Sequence, residues 1–224
     1  MPRYSRGFDV DIAHAHLLRA DRKLGKWMRR IGPIPAEPRW RKRFDVTDAL
    51  ARAILYQQLS GKAAATIVGR LEAAIGSDRL HADTLCRVDD AGIRACGVSG
   101  NKLQALRHLS ARTVAGEIPD LRTLATMQQD AIVDALLPTR GIGRWTVQMM
   151  LMFRLGRPDV LPIDDLGIRK GVQIVDGADA MPTPKALLER GERWGPYRTY
   201  ASMYLWRIAD LGGKANVPVK RSQE

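Results

Sequence analysis

Cysteine is nearly absent from this sequence: Cys86 and Cys96 are the only two. That excludes a four-cysteine iron–sulfur cluster, an all-cysteine zinc site and a dense disulfide framework. No metal is expected from the remaining residues either. The N-terminal stretch MPRYSRGFDVDIAHAHLL lacks a continuous apolar core followed by a small-residue cleavage site. No later run approaches the ~20 apolar residues of a membrane span. The expectation is a soluble, reduced, cytoplasmic protein with no membrane partner, nucleoid-associated if bacterial. Aromatic residues are scarce, at 6%, and strand-like alternation is all but missing; VLPI around Val160 is too short to found a sheet. Negative charge is also short. Against 36 Lys and Arg stand 24 Asp and Glu, leaving +12, a balance that points to a polyanionic partner, nucleic acid first, with a merely basic soluble protein as the equal alternative on charge alone.

What is present reads as helices joined by short turns. At 224 residues, with 45% hydrophobic and 27% charged residues, the chain has enough apolar side chain for a substantial core and no compositional sign of disorder. From Thr47, read as a cap, TDALARAILYQQL carries Leu50, Ala53 and Ile54 at helical spacing. Ser60 caps a second helix whose stripe, Ala64, Ile67, Val68, Leu71 and Ile75, stops at Gly76. Ser99 precedes a third, with Leu103, Leu106 and Val114 in phase and Gly116 as its stop. Thr126 and Gln129 are spaced as a capping box ahead of Ile132, Val133, Leu136 and Leu137. Pro33, Pro35 and Pro38 stiffen an early connection, and KANVPVKRSQE ends the chain as a basic tail. The fold class is all-α.

The most informative stretch is LLPTRGIGRWTVQMMLMFRLG, residues 136–156. An apolar helix ends at Pro138, a tight Gly141-Ile142-Gly143 turn follows, and a second apolar helix begins near Arg144. Glycine permits positive φ and lets backbone N–H groups approach a ligand without a Cβ in the way. At a helix N-terminus those donors and the dipole favour an anion, and Arg140 and Arg144 reinforce a phosphate. An ordinary helix-to-helix connection also uses glycine. A phosphate contact of this kind would position a duplex without selecting a sequence.

Asp164 and Asp165 follow in VLPIDDLGIRKGV, just after Pro162 and ahead of Leu166, Ile168 and Val172. One aspartate there suits a helix N-cap; the second could act as a general base or as counter-charge to a developing cation. Trp145 and Met149 are i and i+4 on the hairpin's second helix, and Met203 and Trp206 are i and i+3 on the final helix after WGPYRTY. Such residues are usually core, yet an indole just past a phosphate turn could line a pocket for a flipped base.

Taken in order, LPTRGIGRWT, LPIDDLGIRKG and WGPYRTYASMYLWR resemble the helix-hairpin-helix DNA glycosylases with a Gly/Pro-rich loop and an essential Asp. The likeness is closest to the alkylpurine, AlkA-type branch, and it runs from about Val46 to about Leu211. It implies two helical lobes with the active site in a cleft between them, divided as 47–155, including the hairpin 132–154, and 1–46 with 164–213. Counting from Pro162 favours Asp164 as the catalytic carboxylate, whereas the downstream Ile168 favours Asp165. The resemblance assigns Asp165, with Asp164 as the cap. It places Trp145, Met149 and Trp206 in the base pocket, and Gln58 as the side chain that fills the gap left by a flipped nucleotide. Gly141 and Gly143 inherit a phosphate-binding N–H role, with Arg140 and Arg144 beside them. No cofactor is implied beyond a monovalent cation at the hairpin when DNA is bound. Bifunctional members carry a lysine where this chain has Trp145, so the implied activity is monofunctional: hydrolysis of the N-glycosidic bond of alkylated purines in double-stranded DNA, by a monomer. The alternatives are removal of a neutral deaminated or etheno base, and a non-catalytic binder of damaged duplex.

Overall fold

In the computed structural model residues 6–212 are described; the basic tail lies outside them. Helices follow one another in the order α1 (Val10–Ala20), α2 (Arg22–Ile31), α3 (Val46–Tyr56), α4 (Gly61–Ile75), α5 (Ala82–Leu85), α6 (Asp90–Ala95), α7 (Gly100–Val114), α8 (Leu121–Leu124), α9 (Gln129–Leu136), α10 (Arg144–Phe153), α11 (Leu166–Asp176), α12 (Pro184–Gly191) and α13 (Arg198–Asp210), with short 3-10 turns at Pro38–Arg41 and Glu192–Trp194. No strand occurs among the described residues, so the all-α reading holds. None of the helices described is long and apolar enough to cross a membrane.

The described residues form two compact units, one of residues 42–147 and the other of residues 6–41 together with 148–212. The division falls inside α10 rather than after 155. A single continuous helix belongs to both units there, and hydrophobic periodicity carries no signal for a boundary inside an unbroken helix.

In the first unit α3 packs against α4 and α7, burying Leu50, Ile54, Leu71, Leu103 and Leu106. Ser60 and Ser99 cap α4 and α7 as their spacing predicts, and Gly76 closes α4 in the left-handed conformation. Three local expectations are corrected. Asp45, not Thr47, caps α3, accepting from the Asp48 N–H; Thr47 is buried as the second residue of the helix, its hydroxyl 3.0 Å from that of Thr113. The Thr126–Gln129 capping box does not form. The short helix α8, capped by Asp120, occupies the chain to Leu124, so the Thr126 hydroxyl donates back to the Thr123 carbonyl, and Gln128 begins α9 without a side-chain cap. Val114 is 81% exposed because α7 ends with it, beyond the last turn that packs.

The second unit gathers Leu17, Leu24, Ile168, Val172, Trp194 and Tyr204 into one core. Asp21, 2% exposed, caps α2 through the Lys23 and Leu24 N–H groups and accepts from the Trp194 indole at 2.8 Å. It also pairs with Arg190. Burial by itself would raise the Asp21 pKa; these donors outweigh it and hold the carboxyl below the usual carboxylate range. The aspartate is thereby kept charged in the interior, joining α2 to the end of α12.

Candidate functional site

In the first unit α9 ends at Leu136, and the chain turns through Thr139, whose N–H donates to the Leu136 carbonyl at 3.0 Å, and Ile142, whose N–H donates to the Thr139 carbonyl at 2.9 Å. Ile142 and Thr139 are buried, and the Arg112 guanidinium supports the turn from beneath, 2.7 Å from the Thr139 hydroxyl. Arg140, Gly141, Gly143, Arg144 and Trp145 are all exposed, Trp145 by 51%. Gly141 has φ +81°, and a Cβ there would sit 3.0 Å from the Ala105 Cβ, so both backbone conformation and packing on α7 require glycine. Gly143 differs from expectation. Its φ is not in the left-handed region, and nothing lies within 4 Å of where its Cβ would be; the glycine leaves open space rather than relieving strain. Neither glycine N–H has a partner among the described residues. The hairpin therefore offers two backbone donors at the N-terminal end of α10, between two exposed arginines, which suits an anion. The Arg140 N–H is not available to it, since it donates to His108 Nδ1 at 3.0 Å.

Gln58 follows α3 in an exposed turn, with φ +57°, the only non-glycine residue described with positive φ. A left-handed residue with a Cβ costs about 1–2 kcal/mol, so the turn holds an unfavourable backbone while presenting an amide side chain outward. The neighbouring Gln57 side chain donates to the Gly141 carbonyl at 2.8 Å, tying this turn to the hairpin. Gln58→Gly is expected to be neutral, or to stabilise by up to about 1 kcal/mol, because relief of strain is offset by the greater entropy of unfolded glycine. Thermal unfolding checks this; a loss of stability would mean that the side chain, not the backbone, is what the turn needs.

In the second unit Asp165 is the N-cap of α11: its Oδ1 accepts from the Ile168 N–H at 2.9 Å. Asp164 is exposed and does not cap the helix, which corrects the division of labour expected for the pair. The same Oδ1 of Asp165 accepts from the Trp206 indole N–H at 2.8 Å, so capping and a tertiary bond converge on one carboxylate. Trp206 is half-buried and stacks on Phe153, ring centroids 5.8 Å apart and 28° between planes. Met149, half-buried, lies one turn before Phe153 on α10. Leu166, expected on the packed stripe, is 64% exposed because it opens the helix on the side away from Ile168.

Close approach of α11 and α13 makes this arrangement possible. A Cβ on Gly167 would sit 2.8 Å from Trp206 Cδ1 and 3.1 Å from Asp165 Oδ1, and one on Gly171 would sit 2.3 Å from the Leu205 carbonyl oxygen. Both are spaced i, i+4 on α11, so glycine at each lets α13 lie directly on the helix backbone. Sequence reading marked Asp165 and Trp206 but not their bond, nor Phe153, Gly167, Gly171 or His108. The only available signal was the i, i+4 glycine spacing. An ionised carboxylate held by two donors can stabilise a cation that develops beside it, without moving to do so. Among the described residues no group of three or more His, Cys, Asp or Glu could hold a metal ion.

Residues 51–196 match the family model described as HhH-GPD superfamily base excision DNA repair protein. DNA-3-methyladenine glycosylase 1 of Schizosaccharomyces pombe is 36% identical over 165 residues, which are 73% of this chain and 72% of that protein. Among solved structures, the S. pombe 3-methyladenine DNA glycosylase in complex with abasic DNA matches with a TM-score of 0.78 at 31% identity, covering 91% of this chain and 98% of that one. A DNA-3-methyladenine glycosidase from Bacillus halodurans matches with a TM-score of 0.80 at 31% identity, covering 93% of each chain.

Proposed function

Because the chain belongs to the HhH-GPD superfamily of base excision DNA repair proteins, we propose that it is a DNA glycosylase for alkylated bases, acting on purines such as 3-methyladenine and 7-methylguanine by hydrolysis alone. The observation that carries this reading is the Asp165 carboxylate, fixed by the Ile168 N–H and the Trp206 indole. An alkylated purine already bears positive charge, so it leaves readily and needs little protonation. As the glycosidic bond lengthens, positive charge develops on the sugar instead; Asp165 stabilises it and orients water toward C1′. Trp145, Met149 and Trp206 receive the extruded base, and the two indoles attract its charge by cation–π contact, of order 0.5–2 kcal/mol each. Trp145 stands where bifunctional relatives carry the Schiff-base lysine, so no lyase step is available to that position.

Duplex binding rests on the hairpin. The Gly141 and Gly143 N–H groups take a backbone phosphate, with Arg140 and Arg144 adding charge, while Gln58 enters the stack where the flipped nucleotide leaves it. Hairpin carbonyls such as those of Thr139 and Gly141 each accept one hydrogen bond and keep a second lone pair. A set of neutral carbonyls of this kind would hold a monovalent cation, which would supply further positive charge at the turn for a phosphate. The protein acts as a monomer in the cytoplasm.

The direct test is incubation with a duplex carrying 7-methylguanine or 3-methyladenine. Free base and an alkali-labile abasic site are expected, with an intact strand before alkali. Strand cleavage without alkali would overturn the hydrolysis-only assignment, and tight binding without base release would leave only a damage-binding module. Competition with a hypoxanthine-containing duplex distinguishes cationic from neutral substrates.

Gly167 supplies a further expected result. A Cβ there would crowd both the Trp206 ring and the Asp165 carboxylate and so disturb the bond between them; single-turnover excision should fall about tenfold, roughly 1.4 kcal/mol, with duplex affinity unchanged. Equal rates for Gly167→Ala and the native chain would mean that the Trp206 bond does not matter to the reacting carboxylate.

A further inference from the structure

The turn that carries Gln58 is held from α7. Lys102, in the first turn of α7, donates through Nζ to the carbonyls of Leu55 at 2.7 Å and Gln57 at 2.8 Å. These are among the carbonyls that the end of α3 leaves without intrahelical donors, where the helix dipole also favours a cation. Among the described residues no carboxylate pairs with Lys102, and burial lowers its pKa, the sign of an ammonium partly stripped of water. Water could satisfy two carbonyls at a helix end. A half-buried ammonium bonded to both of them instead ties the segment to α7.

Gln57 is gripped twice. Its backbone carbonyl accepts from Lys102, and its side-chain amide donates to the Gly141 carbonyl. Gly141 in turn lies against Ala105 and Ile54, side chains of α7 and α3. The end of α3, the start of α7 and the hairpin turn thus form one braced assembly, and Gln58, strained at φ +57°, is the residue it leaves projecting.

We propose that Lys102 and Gln57 are positioning residues for base flipping, bracing the 57–60 turn so that Gln58 is held ready to enter the duplex in register with the phosphate on the hairpin. A side chain that fills a gap in stacked bases must resist the closing of the duplex. A loose turn would have to be ordered at each insertion, and pre-ordering removes that cost. The Gln57 amide adds registration, because it fixes the turn to the same glycine whose N–H faces the phosphate.

This rests on the assignment of Gln58 to the duplex, and a double-mutant cycle separates the two. The flipping signal of 2-aminopurine placed beside the lesion is compared for the native chain, Lys102→Met, Gln58→Ala and the double variant, with thermal unfolding of each. Lys102→Met should reduce the flipped fraction about fivefold and should cost nothing further in the Gln58→Ala background, because it acts through that side chain. Independent, additive losses would show a general structural effect and overturn the proposal, as would an unchanged signal in Lys102→Met beside a reduced one in Gln58→Ala. If Gln58→Ala itself leaves flipping unaltered, the Gln58 assignment fails and the brace fails with it. Should Lys102→Met not fold, Gln57→Ala replaces it in the same cycle, with the same pattern expected and the same patterns decisive against it.

Discussion

Asp165→Asn should lower single-turnover excision of an alkylated purine by about a thousandfold while leaving duplex affinity and folding nearly intact. The magnitude follows from Coulomb's law: one unit charge about 4 Å from a developing cation, at an effective dielectric near 20, contributes about 4 kcal/mol, and each 1.36 kcal/mol is a factor of ten in rate. The substitution isolates that charge unusually well. Asparagine is as good an N-cap as aspartate, and its amide oxygen can accept from both the Ile168 N–H and the Trp206 indole, the two donors that hold Oδ1. Asp165→Ala lacks this control, since it also forfeits the cap, at about 1 kcal/mol of stability. Asp164 is exposed and does not cap α11, so Asp164→Asn should excise at close to the native rate. Full activity in Asp165→Asn, or loss confined to Asp164→Asn, would reverse the assignment of the pair.

The largest effect on stability is expected at Gly171. A Cβ there would meet the Leu205 carbonyl oxygen at 2.3 Å and its carbonyl carbon at 2.7 Å. Those atoms belong to a helix backbone and cannot rotate aside as a side chain can, so Gly171→Ala must push α13 off α11. Overpacking costs about 1–3 kcal/mol where side chains absorb it, and a backbone obstacle belongs at or above the top of that range. For a chain of this size about 3 kcal/mol corresponds to a fall in Tm of roughly 6–12 °C. Gly69 on α4 is the internal control: nothing lies within 4 Å of its Cβ position, and alanine there should stabilise by up to about 1 kcal/mol through helix propensity alone. If both substitutions shifted Tm equally, close packing of α11 on α13 would not be what holds them. Because Trp206 follows Leu205, Gly171→Ala should also slow excision beyond its effect on stability.

These results depend on features of different range. Helices were legible wherever one segment carried both its apolar stripe and its cap, as in α4 behind Ser60 and α7 behind Ser99. Caps were misread at Thr47 and Thr126, where a neighbouring aspartate bound the helix start or a preceding turn claimed the hydroxyl. Choosing among nearby polar side chains requires knowing where the chain comes from in space, and short spacing rules do not contain that.

By itself the sequence determined the all-helical class, the basic balance and the glycine turn, because each is expressed in composition, periodicity or contiguous motif; Asp165, Trp206 and Gln58 became candidates through the family resemblance. Only the tertiary structure decided how those residues are held. Asp165 meets Trp206 across 41 residues of chain, Gln57 meets Gly141 across 84, and Lys102 reaches the end of α3 across 47 and 45. A hydrogen bond within a helix turn is fixed by local backbone geometry. A bond between distant segments forms only after packing has brought them together, here through glycines on α11 whose missing Cβ atoms let a second helix backbone approach.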